Sequence, residues 1–98
     1  MKEDKDGHLN IEIDEQTALG VYSNLAVVNH SNSEFVLDFI NVMPGMPKAK
    51  VRSRIIVTPE HAKRLLRALQ ENITKYEKEY GDVKEQTNNI KVNPIGQA

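Results

Sequence analysis

The sequence of 98 residues contains no cysteine and no tryptophan, and only 5% of its residues are aromatic. Without cysteine there can be no disulfide, no thiol nucleophile and no cysteine-ligated zinc site, which fits a reducing compartment. No apolar run approaches the roughly 20 residues that a membrane-spanning helix needs. The N-terminus is charged and lacks the apolar segment of a signal peptide. We therefore expect a cytoplasmic protein with no membrane partner.

Signatures of catalysis are missing as well. His8, His30 and His61 do not have the spacing of metal ligands. Pro44-Gly45 is a turn sequence, and no Lys-Ser or Lys-Thr pair follows it as in a phosphate-binding loop. We expect no catalytic residue, no metal site and no cofactor, and we interpret the chain as non-enzymatic.

Hydrophobic periodicity predicts four strands and one helix. Apolar and polar residues alternate over four segments, as they do in half-buried strands. The predicted strands are Leu9–Ile13, Leu19–His30, Glu34–Val42 and Lys48–Val57. Thr58-Pro59-Glu60 then combines a capping hydroxyl, a proline suited to the first helical turn and an acid at the positive end of the dipole. The helix should run from Pro59 to Tyr80 and end at Gly81.

This order of elements predicts an α+β fold. Consecutive strands with short loops pair as an antiparallel meander, here of about four strands. The long C-terminal amphipathic helix should pack on one face of that sheet to bury its apolar stripe. We assign residues 1–8 to a flexible acidic arm, residues 9–81 to a single domain and residues 82–98 to a disordered tail.

The second face of the central strands is apolar too, which is unusual for a face in water. Such a patch is typical of an interface, so we predict a homodimer formed through the sheet, by face packing or edge pairing. In the alternative, the termini cover this face in a monomer. The candidate dimer face consists of Ala26, Val28, Val36, Ile40 and Val42.

Charge is unevenly distributed along the chain. Residues 1–17 carry six acidic residues against two basic ones, and residues 48–67 carry seven basic residues against one acidic. In the last predicted strand the cations occupy every second position, so strand alternation would place them all on one face. The candidate binding residues for a polyanion or another partner are Lys48, Lys50, Arg52, Arg54, Lys63, Arg64 and Arg67.

The basic strand has three interpretations. It could be an edge strand whose charges prevent aggregation. Its arginines could pair with Glu34 and Asp38 on the neighbouring strand; a salt bridge to Arg52 or Arg54 would explain Asp38, an acid among apolar residues whose burial would raise its pKa. It could also bind nucleic acid or another polyanion, although aromatic residues that stack on bases are missing from this strand.

Several blocks of sequence resemble a known family. They are Gly20-Val-Tyr22-Ser23-Asn24, Glu34-Phe35-Val-Leu37-Asp38-Phe39, Val51-Arg-Ser53-Arg54-Ile55 and Thr58-Pro59-Glu60-His61-Ala62-Lys63-Arg64-Leu65-Leu66, followed by Leu69, Asn72, Ile73, Tyr76, Glu77 and Gly81. Together they resemble the small bacterial and archaeal domain of unknown function 3467 over about residues 16–81, with the arm and the tail outside. The resemblance implies no activity, substrate or cofactor. The polar residues in the matched blocks are Tyr22, Asn24, Glu34, Asp38, Arg54, His61 and Lys63.

From these observations we expect a homo-oligomeric domain that acts by binding another macromolecule. The partner could be a protein held on the sheet edge or on the second apolar face. Nucleic acid or another polyanion bound through residues 48–54 is the alternative.

Overall fold

The computed structural model describes residues 7–86, and these form an α+β fold. The elements are helix α1 (Glu15–Ala18), strands β1 (Leu25–His30), β2 (Phe35–Asn41) and β3 (Lys50–Val57), and helix α2 (Pro59–Tyr80). The chain comprises two units, residues 1–62 with the sheet and residues 63–98 with most of α2. Packing of the helix on the sheet stays a prediction. Most of the predicted arm and tail, at residues 1–6 and 87–98, lies outside the described residues.

The described sheet has three strands in the order β1-β2-β3, and both pairs are antiparallel, as a meander requires. The fourth predicted strand, at Leu9–Ile13, is not confirmed. Apart from an isolated bridge at Leu9, no strand forms between residue 7 and β1. Asp14 instead caps the short helix α1 by accepting a hydrogen bond from the Thr17 N–H at 2.6 Å. Such local side-chain bonding to the backbone competes with extended structure, and a five-residue alternation does not outweigh it.

Two tight turns connect the strands. Between β1 and β2, the Ser31 N–H donates to the Glu34 carbonyl at 2.9 Å. Between β2 and β3, the Met46 N–H donates to the Met43 carbonyl at 3.2 Å. Gly45 between them has a φ of 81°, which glycine adopts without strain. The predicted Pro44-Gly45 turn is confirmed.

The pairing register defines two faces of the sheet, because residues directly opposite each other in antiparallel strands share a face. One, the Asp38 face, consists of Leu25, Val27, Asn29, Val36, Asp38, Ile40, Val51, Arg54 and Ile56. The other, the Leu37 face, consists of Ala26, Val28, His30, Phe35, Leu37, Phe39, Asn41, Lys50, Ser53, Ile55 and Val57. Buried side chains lie on both: Ile40 and Asp38 on the first, Val57 on the second.

Helix α2 has the predicted bounds, Pro59–Tyr80. Thr58 caps it, since its hydroxyl accepts a hydrogen bond from the His61 N–H at 3.1 Å. At the other end, Gly81 has a φ of 92° and its N–H donates to the Glu77 carbonyl at 2.9 Å. Both ends were predictable because capping depends on residue types that are adjacent in the sequence.

Candidate interaction surfaces

The centre of the sheet holds a charged pair formed by Asp38 on β2 and Arg54 on β3. The Arg54 Nε donates to Asp38 Oδ1 at 2.6 Å, and Nη2 donates to Oδ2 at 2.9 Å. This is the two-pronged geometry that a guanidinium and a carboxylate favour. The Asp38 side chain is 1% exposed and that of Arg54 is 53% exposed. Of the three interpretations of the basic strand, ion pairing is confirmed for Arg54 with Asp38.

The pair fixes the charge of Asp38. Hydrogen bonding from Arg54 lowers the pKa of Asp38 below its ordinary value of 3.8, against burial, which alone would raise it. The same contact raises the pKa of Arg54. Asp38 is therefore an ionised structural carboxylate, and the raised pKa considered from its apolar neighbours is wrong. A carboxylate whose pKa is lowered by a bound guanidinium is a poor proton donor or acceptor at neutral pH.

The basic residues of β3 do not share one face, contrary to the prediction. Phe39 is opposite Ser53 but the next residue, Ile40, is opposite Val51, so Arg52 is an extra residue in β3. A β-bulge of this kind inverts the alternation of the strand. Lys50 consequently lies opposite Asn41 on the Leu37 face, whereas Arg54 lies on the Asp38 face.

The remaining cations fall into two groups. Lys48 precedes β3, and Lys48, Lys50 and Arg52 are all exposed. In the described sheet β3 is an outer strand, as the edge-protection interpretation requires. Lys63, Arg64 and Arg67 lie in the first turns of α2 and are exposed.

The five residues of the candidate dimer face do not form one surface. The register pairs Ala26 with Phe39 and Val28 with Leu37, so both lie on the Leu37 face, while Val36 and Ile40 lie on the Asp38 face. Ile40 is only 6% exposed, and Val42 lies beyond the end of β2. The predicted face was wrong because alternation shows only that the residues of each strand form two sets. It does not show which set of one strand shares a face with which set of the neighbouring strand.

Asn24 is a structural residue whose role the sequence did not reveal. Its side-chain amide donates to the Val42 carbonyl at 2.9 Å, and its carbonyl accepts from the Val42 N–H at 2.7 Å. The Asn24 N–H also donates to the Ile40 carbonyl at 3.0 Å. The amide thus makes the two reciprocal hydrogen bonds that a residue of a paired strand would make, and it continues the β1-β2 ladder past Leu25. Its place in a block of the family resemblance was the only signal.

Helix α2 presents a continuous apolar stripe. Its members recur at intervals of three and four residues, and none of the residues of the helix is buried. The stripe consists of Leu65, Leu66, Leu69, Ile73, Tyr76 and Tyr80, with exposed fractions between 40% and 68%. At its C-terminal end the rings of Tyr76 and Tyr80 pack with centroids 4.9 Å apart. A stripe of this size is typical of an element that is buried against a partner surface.

Metal sites and membrane-spanning helices are both absent from the described residues. Within residues 7–86 no three His, Asp or Glu side chains are placed to hold a metal ion. None of the helices in that range has the length and apolarity to cross a bilayer.

Comparison with known proteins identifies a family. The family described as Protein of unknown function (DUF3467) matches residues 1–85, and so includes the acidic arm that the resemblance placed outside. A search of curated proteins and a search of solved structures each found no match. The chain belongs to the family Protein of unknown function (DUF3467).

Proposed function

We propose that this chain is a non-enzymatic, homo-oligomeric interaction domain that binds a protein partner. The observation that carries the proposal is the apolar stripe of α2, in which Leu66 and Leu69 are 62% and 56% exposed. Leaving several large aliphatic side chains in water forgoes about 1.5–3 kcal/mol for each one that could be buried. In this proposal a second copy, and not the sheet of the same chain, buries the stripe.

The sheet offers a separate surface for the protein partner. Strand β1 is an outer strand of the described sheet, and its sequence LAVVNH contains no charged residue and no proline. Strand β3, the opposite edge, carries cations and a bulge that discourage pairing. An extended segment of another protein would therefore add to β1 in preference to β3.

Oligomeric state is the first test. We expect sedimentation equilibrium at micromolar concentration to give the mass of a dimer, and a monomer would contradict the proposal. Leu69→Glu places a charge in the stripe and should shift the protein to monomer. Lys75→Glu, on the polar side of the same helix, is the matched control and should leave the mass unchanged.

Capture from the native cell is the second test. The proposal expects a protein that remains bound after nuclease treatment and is lost when Val27 in β1 is replaced by proline, which disrupts strand pairing. A partner lost on nuclease treatment would instead support the polyanion alternative.

That alternative depends on the exposed Lys48, Lys50 and Arg52, because Arg54 is held by Asp38. Binding of DNA or RNA through these residues would fall steeply with salt. The double substitution Lys50→Glu and Arg52→Glu should abolish it and leave the dimer intact. No binding at low salt would exclude this function.

A further inference from the structure

We propose that two copies of the chain meet through helix α2 as an antiparallel pair, with Lys63 of each copy opposite the partner's Glu77. The proposal rests on the homo-oligomer proposed above and adds its geometry. It follows from the spacing of the apolar residues and from the charges on either side of them.

The apolar stripe has the spacing of a coiled-coil seam. Leu66, Leu69, Ile73, Tyr76 and Tyr80 are separated by three, four, three and four residues, which is the alternation of the two core positions in a heptad. Such a seam fits the equivalent seam of another helix. A second copy of α2 provides one of the same length and character.

The residues along one edge of the seam indicate whether the two helices run parallel or antiparallel. Lys63, Gln70 and Glu77 are seven residues apart, so they line up along the same edge. In a symmetric antiparallel pair, each edge of one helix meets the same edge of the other, because the two-fold axis makes the contact self-complementary. Lys63 at one end of this edge then meets the partner's Glu77 from the other end.

Apolar layers form in the register that the charges favour. This register places Leu69 beside the partner's Ile73, Leu66 beside the partner's Tyr76 and Tyr80 beside the partner's Ala62. That register brings Lys63 opposite the partner's Glu77 twice, once at each end, and Gln70 opposite the partner's Gln70 in the middle.

A parallel pair lacks these ion pairs. There, the edge with Lys63, Gln70 and Glu77 would face the other edge of the partner, which carries Leu65, Asn72 and Glu79. Gln70 would face the partner's Leu65 and Glu77 the partner's Asn72. The antiparallel arrangement is therefore the one that the charges favour.

Glu77 is already held in place. Its Oε2 accepts a hydrogen bond from the Val83 N–H at 2.9 Å, and the residue is less exposed than its neighbours in the helix. An anchored side chain loses less rotamer freedom on forming an ion pair. Its second carboxylate oxygen remains for the partner's Lys63.

Charge exchange in the full chain tests the geometry. Lys63→Glu or Glu77→Lys alone replaces two attractions with two repulsions and should weaken the dimer about tenfold. Both together restore opposite charges and should return the dissociation constant to near its starting value. Each single change puts a more favourable charge at its end of the helix dipole, so melting of the helix would not explain the loss. Circular dichroism checks that helix content is unchanged.

The matched controls are Lys78→Glu and Glu71→Lys, which make the same charge changes on the opposite side of the helix and should have no effect on the dimer. If the unmodified chain is a monomer, the homo-oligomer and this geometry both fall. If it is a dimer that the single changes do not weaken, or that the double change does not restore, the antiparallel helix pair alone is overturned.

Crosslinking gives a second readout, since the chain has no cysteine of its own. A cysteine introduced by Gln70→Cys lies beside its copy in the antiparallel pair and should form a disulfide-linked dimer on mild oxidation. Lys78→Cys, facing away from the seam, should not. Equal crosslinking of the two would contradict the proposal.

Discussion

Asp38 and Arg54 lie directly opposite each other on β2 and β3, and the guanidinium donates one hydrogen bond to each carboxylate oxygen. The two partners differ in their access to water: the side chain of Asp38 is 1% exposed and that of Arg54 is 53% exposed. Removing Arg54 leaves a carboxylate sealed in the sheet without a counter-ion, whereas removing the charge of Asp38 leaves a cation that water can still solvate. The loss of Arg54 should therefore be the more damaging of the two.

Asp38→Asn should lower the free energy of unfolding by about 1–3 kcal/mol, because it replaces a charge-assisted pair with a neutral amide in a buried position. Arg54→Met should lower it further. Urea denaturation monitored by circular dichroism measures both. Glu34→Gln, which removes an exposed acid next to the same strand, should change stability by less than about 0.5 kcal/mol. A smaller effect for Arg54→Met than for Asp38→Asn would contradict this account.

The pair also predicts how stability depends on pH. The pKa of Asp38 is lowered in the folded protein, so its contribution is fully present above the ordinary value of 3.8 and is lost as pH falls through the lowered pKa. In Arg54→Met the hydrogen bonds and the charge that lower the pKa of Asp38 are lost. Burial of the carboxylate remains, and it raises that pKa. Protonation of Asp38 then favours the folded state. The loss in the free energy of unfolding of Arg54→Met, relative to the unmodified protein, should therefore shrink as pH falls from 7 towards 4. Thermal melts across that range test the sign, and Asp38→Asn should lack the dependence.

Asn24→Asp should destabilise the protein by about 1–2 kcal/mol. The carboxylate can still accept from the Val42 N–H, but it faces the Val42 carbonyl without a proton to donate. Protonation restores a donor, so part of the loss should be recovered at low pH. Asn29→Asp, at an exposed position near the end of β1, is the matched control and should have a smaller effect. Equal losses would show that the bridge to Val42 contributes nothing.

Thr58→Ala should cost about 1 kcal/mol, because it removes the hydroxyl that accepts the His61 N–H at the start of α2. Thr58→Ser keeps that oxygen and should retain most of the stability. Thermal unfolding followed by the helical circular dichroism signal compares the two. The same loss of stability in both variants would mean that the methyl group of Thr58, and not its capping hydroxyl, stabilises the protein.

The parts of this fold that could be predicted are those fixed by neighbouring residues. Thr58, Pro59 and Gly81 define the helix because each acts on the backbone within one turn of itself. Pairing of Asp38 with Arg54 was also within reach, since opposite charges on adjacent strands attract whenever the register allows it.

The parts that could not be predicted depend on how separate strands are aligned. In β1 and in β2 the residues on both faces are mostly apolar, so the sequence permits either face of one strand to match either face of the other. The prediction that placed Val28 with Val36 used the combination that the register does not have. The bulge at Arg52 involves no glycine with positive φ, and residue types alone did not indicate it. Asn24 has the composition of an ordinary loop residue, and its bridge to Val42 depends on a residue 18 positions away.

Arg52, the extra residue in β3, interrupts the regular alternation of side chains between the two faces of the sheet. Lys50 and Val51, which precede Arg52 in β3, point to the side opposite that expected by strict alternation back from Arg54, and a deletion of Arg52 would leave Lys50 opposite Asn41 on the Leu37 face. The bulge thus keeps the ion pair on one side of the sheet while Lys50 lies on the other, so the pairing of this strand determines its surface as much as its composition does.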